Sequence, residues 1–208
     1  ITSTLVSLGY LKQLPNTTKY LLDVGVLALG YAALSNISAR TQAYPFMEEM
    51  SRYSQAPVAM ATRDRLSMIY LEVVHTESTL TMRRPVGSTL PIHSSAMGRA
   101  CLAAMDVKER EYLFDAIKKR NEDQWPTIKR NLERAIRDYQ DYGYCLSLGD
   151  WAKDVNSVAV PLVHPKHGIL TFNCGAPSYL LNQEKLENEI GPRLIHMVNN
   201  IAMNLNNI

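Results

Sequence analysis

Two pairs of β-rich runs, each closed by a tight polar turn, constrain this chain more than any other feature. The first pair is "APVAMATRDRLSMIYLEVV" (56–74), which turns at Arg63-Asp64-Arg65. The second is Ser157–Val163 and Ile169–Cys174, joined by "HPKHG". Such runs form antiparallel hairpins. Between the pairs the period changes. Ser94–Met105 is apolar and Ala-rich, Asp106 and Glu109 read as a capping box, and Thr127–Tyr142 carries Ile128, Leu132, Ala135, Ile136 and Tyr139 at helical spacing before Gly143. Short strands are predicted at Leu80–Arg84 and Tyr144–Leu148. Gln183–Leu205 predicts an amphipathic helix with Leu186, Ile190, Leu194, Val198, Ile201 and Leu205 on one face. Hairpins interleaved with helices in this way predict an α+β domain over about residues 44–208, an antiparallel sheet flanked by helices.

The residues before it read differently. Ser3–Gly9 has the pattern of a helix's last turns, with Gly9 at the C-cap. Tyr10–Leu14 and Lys19–Leu22 flank Pro15-Asn16-Thr17-Thr18, a hairpin signature. Val24–Ala43 predicts a helix that stops at Tyr44, because a residue before proline avoids the α region, and a second helix follows at Phe46–Tyr53.

The chain is 46% hydrophobic and 20% charged, enough apolar residue to bury a core, and it is not a disordered composition. Its longest apolar stretch, Val24–Leu34, is interrupted by Gly25, Gly30 and Tyr31 and is too short to span a bilayer, so no membrane partner is expected. The opening Ile-Thr-Ser has no basic n-region and predicts no signal peptide. A net charge of +2 does not by itself mark a nucleic-acid binder. The excess sits early, where Lys12, Lys19 and Arg40 face only Asp23. Cys101, Cys145 and Cys174 have no close spacing, which predicts buried free thiols, a reducing cytoplasm and no disulfide framework.

One short stretch raises a chemical question. "PIHSSAMGR" (91–99) places His93 directly before Ser94 and Ser95. A nucleophilic serine needs a base within reach and a third group to orient it, but neighbouring side chains at a helix start point apart, and the chain has no G-x-S-x-G elbow. The other reading is a helix start: Ser94 or Ser95 caps it, the first amides lack intrahelical acceptors, and small residues let an anion approach. The plain alternative is a cap that binds nothing.

His75, His93, His164, His167 and His196 show no metal-ligand spacing, so no metal and no cofactor are predicted. His164 and His167 read as a solvated turn. Trp151, in the polar link "LSLGDWAKDVNS", is either a lid over a pocket or a plug on the core. Asn173 lies on a strand between Phe172 and Cys174, and faces either a pocket or solvent.

The order of these segments resembles the IclR family of bacterial transcription regulators. "STLVSLGYLKQLPNTTKYLLDVGVLALG" is similar to the end of that family's recognition helix, its wing and its linker helix. "RRPVGSTLPIHSSAMGRACLA" is similar to its "vG…lPlH.ta.GkAlLA" segment, and "GYCLSLGDW…VNSVAVPLV…GILTFNCGAPSYLL" to its closing strands. The resemblance implies residues 1–23 as part of a winged helix-turn-helix, 24–43 as a linker helix and 44–208 as a GAF-like effector-binding domain. It implies a regulator rather than an enzyme, working as a homodimer or homotetramer, with a small, acidic organic effector and operator DNA as partners. By position it implies amide contacts at Ala96 and Met97 beside the Ser95 cap, apolar walls from Met82, Leu90 and Val155, and polar contacts from Ser157, Asn173 and Gly175; with an acid bound there, Trp151 is expected to close over it or to pack against its hydrophobic part. Ser147 falls where the family can carry an Asp, so the effector is expected to differ from that of relatives with the carboxylate. Ser3, Lys12 and Lys19 would touch DNA. With only about 23 residues matching the DNA-binding unit, the chain alone is not expected to hold an operator. Two further readings stand beside this one: an enzyme of small acids using His93, Asp150 and Asp154, and an interaction module whose pocket is vestigial.

Overall fold

The computed structural model describes residues 1–75 and 84–206 and divides the chain into two compact units, Ile1–Ser38 and Ala39–Ile208.

The first unit contains α1 (Thr2–Ser7), the antiparallel strands β1 (Leu11–Gln13) and β2 (Tyr20–Leu22), and α2 (Gly25–Ser35). Gly9 takes φ +72° directly after α1, a left-handed conformation that favours glycine. The Tyr10 carbonyl accepts from Asp23 N–H at 2.9 Å, which closes the hairpin's base. Gly25 is fixed by space: an added Cβ would come within 2.5 Å of the Gly9 carbonyl oxygen.

The helix expected from Val24 to Ala43 is two helices. α2 ends at Ser35, and α3 (Ser38–Ser54) runs through Pro45 without stopping. The break is at Asn36–Ile37, not Tyr44. Ala39, Ala43, Met47 and Met50 bury one face of α3 on both sides of Pro45, and that packing outweighs the local preference of a residue before proline.

In the second unit six strands form one antiparallel sheet: β3 (Val58–Asp64), β4 (Ser67–Val74), β5 (Thr89–Pro91), β6 (Cys145–Leu148), β7 (Val155–His164) and β8 (Gly168–Pro177), in the order β5-β4-β3-β8-β7-β6. Both predicted hairpins are present. They pair with each other through β3 and β8, which puts one strand of each hairpin at the centre of the sheet. The strand expected at Leu80–Arg84 falls on residues outside the described set except for Arg84, which is not in a strand; β4's outer partner is Thr89–Pro91 instead.

One sheet face carries Ala59, Ala61, Tyr70 and Ala159 and packs under α4 (Ala96–Ala104), α5 (Val107–Arg120) and α6 (Trp125–Tyr142). Asp106 caps α5 by accepting from Lys108 N–H, while Glu109 turns to Arg63 at 2.6 Å instead of completing the box. The predicted C-terminal helix is present with a change of pitch: α7 (Gln183–Lys185), a π-helical turn over Leu186–Ile190 and α8 (Gly191–Asn206). All six residues predicted for its apolar face are buried. Among the described residues no helix is long and apolar enough to cross a membrane.

Candidate functional site

A cavity of about 570 Å³, counting its open mouth, lies between the sheet and the start of α4. Small residues account for the space. Ala59, Ser157 and Gly175 lie on the sheet face that forms the floor, and a Cβ at Gly175 would come within 2.8 Å of Ser157 Cβ. A bulge in β4 completes the floor. Ala59 pairs with Val73 and Ala61 with Tyr70, so one extra residue stands on β4 between the pairs. It brings Tyr70 and Val73 to the same face, which strict alternation would forbid. Pro57, Leu90, Val155 and Trp151 supply the remaining apolar walls.

Several polar groups in this wall are hydrogen-bond donors. Ser95 is the N-cap of α4; its hydroxyl accepts from Gly98 N–H at 3.1 Å and donates to the Pro91 carbonyl at 2.7 Å. The N–H groups of Ala96 and Met97 have no acceptor among the described residues, at the positive end of the helix. Gly98 lets this turn approach Ile92: an added Cβ would lie 2.0 Å from the Ile92 carbonyl oxygen. Arg84 places its guanidinium 4.5 Å from the Trp151 ring centroid and donates to the Thr89 carbonyl at 3.3 Å. It has no carboxylate partner among the described residues. The Asn173 side chain, in a residue only 9% exposed, has no hydrogen-bond partner among them either. Burial pushes the Tyr70 phenol up to about 12, against the opposing pull of Arg84, so it is a neutral donor at physiological pH.

Of the residues named from the sequence, Leu90, Ser95, Ala96, Trp151, Val155, Ser157, Asn173 and Gly175 line this cavity together. Met97 contributes no side chain to it; that side chain is fully buried in the core, and only its amide belongs to the helix start. Ser147 does not line it. Its hydroxyl donates to the Ser94 carbonyl at 2.8 Å, behind the turn that carries Ser95, so the residue supports the site rather than meeting a ligand. Met82 lies outside the described residues. Pro57, Ala59, Tyr70, Val73 and Arg84 were not anticipated. Trp151 is a wall that also packs on the core cluster.

Ser3, Lys12 and Lys19 are exposed in the first unit. Of the residues of the enzyme reading, His93 and Asp150 border one outer cleft that Asp154 does not reach; Asp150 pairs there with Arg99 at 2.8 Å, and burial and then Arg99 lower the His93 pKa. His164 and His167 are not a solvated pair; their rings stack at 5.0 Å, with His164 buried. All three thiols are buried, which raises their pKa and removes the reactive thiolate.

Comparison with known proteins assigns this architecture. Residues 31–203 match the family model "Bacterial transcriptional regulator IclR C-terminal". The chain is 34% identical to the HTH-type transcriptional regulator TsaQ1/TsaQ2 of Comamonas testosteroni over 204 residues, 97% of this chain and 73% of that protein. It is 25% identical to the Escherichia coli regulator KdgR over 187 residues, 88% of this chain and 71% of that protein. The crystal structure of an IclR family transcriptional regulator from Brucella abortus superposes with a TM-score of 0.94 at 57% identity, covering 97% of this chain and 76% of that one.

Proposed function

This chain belongs to the IclR family of bacterial transcription regulators, and from that premise we propose that its cavity takes a small organic anion, a carboxylate, whose binding alters how the regulator holds operator DNA. One observation carries the choice of charge. A mostly apolar cavity lies at the start of α4, where the Ala96 and Met97 amides have no acceptor among the described residues; it also holds the Arg84 guanidinium and the Asn173 amide, and among the described residues no acidic side chain lines it. Hydrogen bonds to a charged acceptor are stronger than neutral ones, so an anionic ligand makes the most of these donors. A carboxylate at the start of α4 or beside Arg84 does this, while its apolar body rests on Leu90, Val73, Val155 and Trp151.

The operator-binding part is proposed for the first unit. The exposed Lys12 and Lys19 would contact phosphates, and Ser3 would lie on the recognition helix. In that unit α2 buries none of its residues although its sequence, GVLALGYAALS, is apolar all round. A helix of that kind needs a cover, and a second copy of α2 in a homodimer or homotetramer is the cover proposed here.

Benzoate and its neutral isostere benzamide test the charge directly. Saturation to 100 times Kd stabilises a protein by about 2.7 kcal/mol. For a chain of this size that raises the melting temperature by roughly 5–10 °C. Small aliphatic and aromatic acids are expected to raise it, amides to do so less, and Arg84→Gln or Asn173→Leu to remove the difference. Equal responses to acid and amide in the unsubstituted protein would overturn the anionic reading.

A further inference from the structure

Arg99 lies one turn into α4, and its side chain is 3% exposed. Its guanidinium ties together three pieces of chain. It donates at 2.8 Å to the Leu146 carbonyl on β6 and at 2.8 Å to Asp150 Oδ2, while Nε reaches the His93 carbonyl at 3.4 Å. Asp150 Oδ2 also accepts from Leu148 N–H at 3.3 Å. Neither Arg99 nor Asp150 lines the cavity, yet each stands next to something that does. Ser95 and Ala96 precede Arg99 on the same helix start, and Trp151 follows Asp150. Both residues border polar clefts outside the cavity, with Asn131 at their edge, so the pair forms a partition between cavity and outer cleft.

The segment that carries Trp151 is otherwise tied by backbone bonds near its base. Gly149 N–H donates to the Val155 carbonyl at 3.0 Å, and the Asp154 carbonyl accepts from Ser178 N–H at 2.8 Å. Within the loop, Val155 N–H donates to the Ala152 carbonyl at 2.9 Å. The Trp151 ring itself packs on the core cluster under the Arg84 guanidinium, and the residue before it is held by its carboxylate on Arg99. A charge-assisted bond from a buried guanidinium that two backbone carbonyls also orient is stiff compared with the exposed ion pairs of this chain.

We propose that Arg99 and Asp150 are a positioning pair that holds the Trp151 wall against the start of α4, so the closed shape of the cavity depends on two residues that no ligand touches. Loss of the carboxylate leaves Arg99 bonded to the Leu146 carbonyl, so α4 and β6 stay joined while the loop is released. The consequence for ligand retention rests on the proposed function. The shape of the empty cavity does not, so the two readings fail separately.

The test needs no ligand. In a Trp125→Phe background Trp151 is the sole tryptophan of the sequence, and acrylamide quenching of its fluorescence reads its exposure. Asp150→Ala, which removes the acceptor, is expected to raise the quenching constant about twofold or more, as local opening of a loop does. Arg99→Met is expected to do the same, and the double substitution to add nothing to either single one, because the pair acts as a unit. In the reciprocal Trp151→Phe background, quenching of Trp125 is expected to be unchanged by Asp150→Ala, which separates loop release from general loosening. Where Arg99→Met does not fold, Arg99→Lys keeps the charge and loses the fork. Unchanged Trp151 quenching in an Asp150→Ala protein with a parental melting transition would overturn the proposal. So would fully additive effects of the two single substitutions.

Discussion

At the scale of residues, Asn173 and Arg84 show how differently two members of one cavity are written in a sequence. Asn173 breaks an apolar strand, and a polar residue between Phe172 and Cys174 calls for a reason in the sequence itself. Its strand neighbours decide that reason: β8 is a central strand covered on both faces, so the side chain faces the cavity rather than solvent. Arg84 carries no such mark. One arginine in "RRP" is indistinguishable from a solvated one until Trp151, 67 residues later, is placed under it. Tyr70 was equally hidden, as one of several aromatics in a β-rich run. Its phenol gives a pH signature with a definite sign. The folded pKa of about 12 lies above the ordinary phenol value of 10.0. The stabilisation is therefore complete below pH 10 and is lost as pH rises towards 12, by an amount on the order of 2–3 kcal/mol. Urea midpoints of wild type and Tyr70→Phe at pH 9 and pH 11 check this: the wild type is expected to lose more over that interval than the variant.

At the scale of elements, close approach matters more than propensity. Gly98 sits in the first turn of α4, where alanine would normally favour a helix by about 1 kcal/mol. An alanine Cβ there would meet Ile92 backbone atoms at 2.0 and 2.4 Å, and backbone cannot turn aside as a side-chain tip can. Gly98→Ala is therefore expected to destabilise the protein by about 3 kcal/mol or more, read as a lower urea midpoint at unchanged slope. A stabilised variant would show that the turn does not pack on Ile92. The same contact explains why the anion-seat reading of "PIHSSAMGR" was possible from sequence but not decidable. Capping residues and small residues mark a helix start, whereas the cavity above it is made by other strands. Pro45 gives the opposite lesson. The local rule predicted a break before it, and the buried face of α3 carried the helix through. The β4 bulge left no legible signal, because a single extra residue in an apolar run changes the face of its neighbours without changing composition.

At the scale of the whole molecule, the two units differ in how complete they are. The second encloses a core on its central sheet, with Phe172, Met60, Leu132 and Ile201 fully or almost fully buried. The first leaves Val24, Leu27, Leu29 and Tyr31 at 81%, 75%, 53% and 73% exposure along and beside one helix. Exposed apolar surface of that kind is what the proposed self-association through α2 would cover. Sedimentation equilibrium is expected to show a self-association that Leu27→Glu with Tyr31→Glu weakens at least tenfold, about 1.4 kcal/mol. A monomer at all concentrations, or an assembly indifferent to both substitutions, would remove α2 as the contact.

The sequence by itself determined the class of the second unit, both of its hairpins, the capped start of α4 and the apolar stripe of the last helix, because periodicity, turn residues and caps act between near neighbours. It also carried a family resemblance that pointed to Leu90, Ala96, Val155, Ser157, Asn173 and Gly175, which share one cavity wall, but not to Tyr70, Val73 or Arg84. Only the tertiary structure decided which polar residues meet. Ser147 turned to the Ser94 carbonyl, Arg99 found Asp150, and Arg84 came to rest on Trp151. Those pairings depend on strand order and on one bulge, and both are settled by the packing of segments far apart in the chain, where no local pattern reaches.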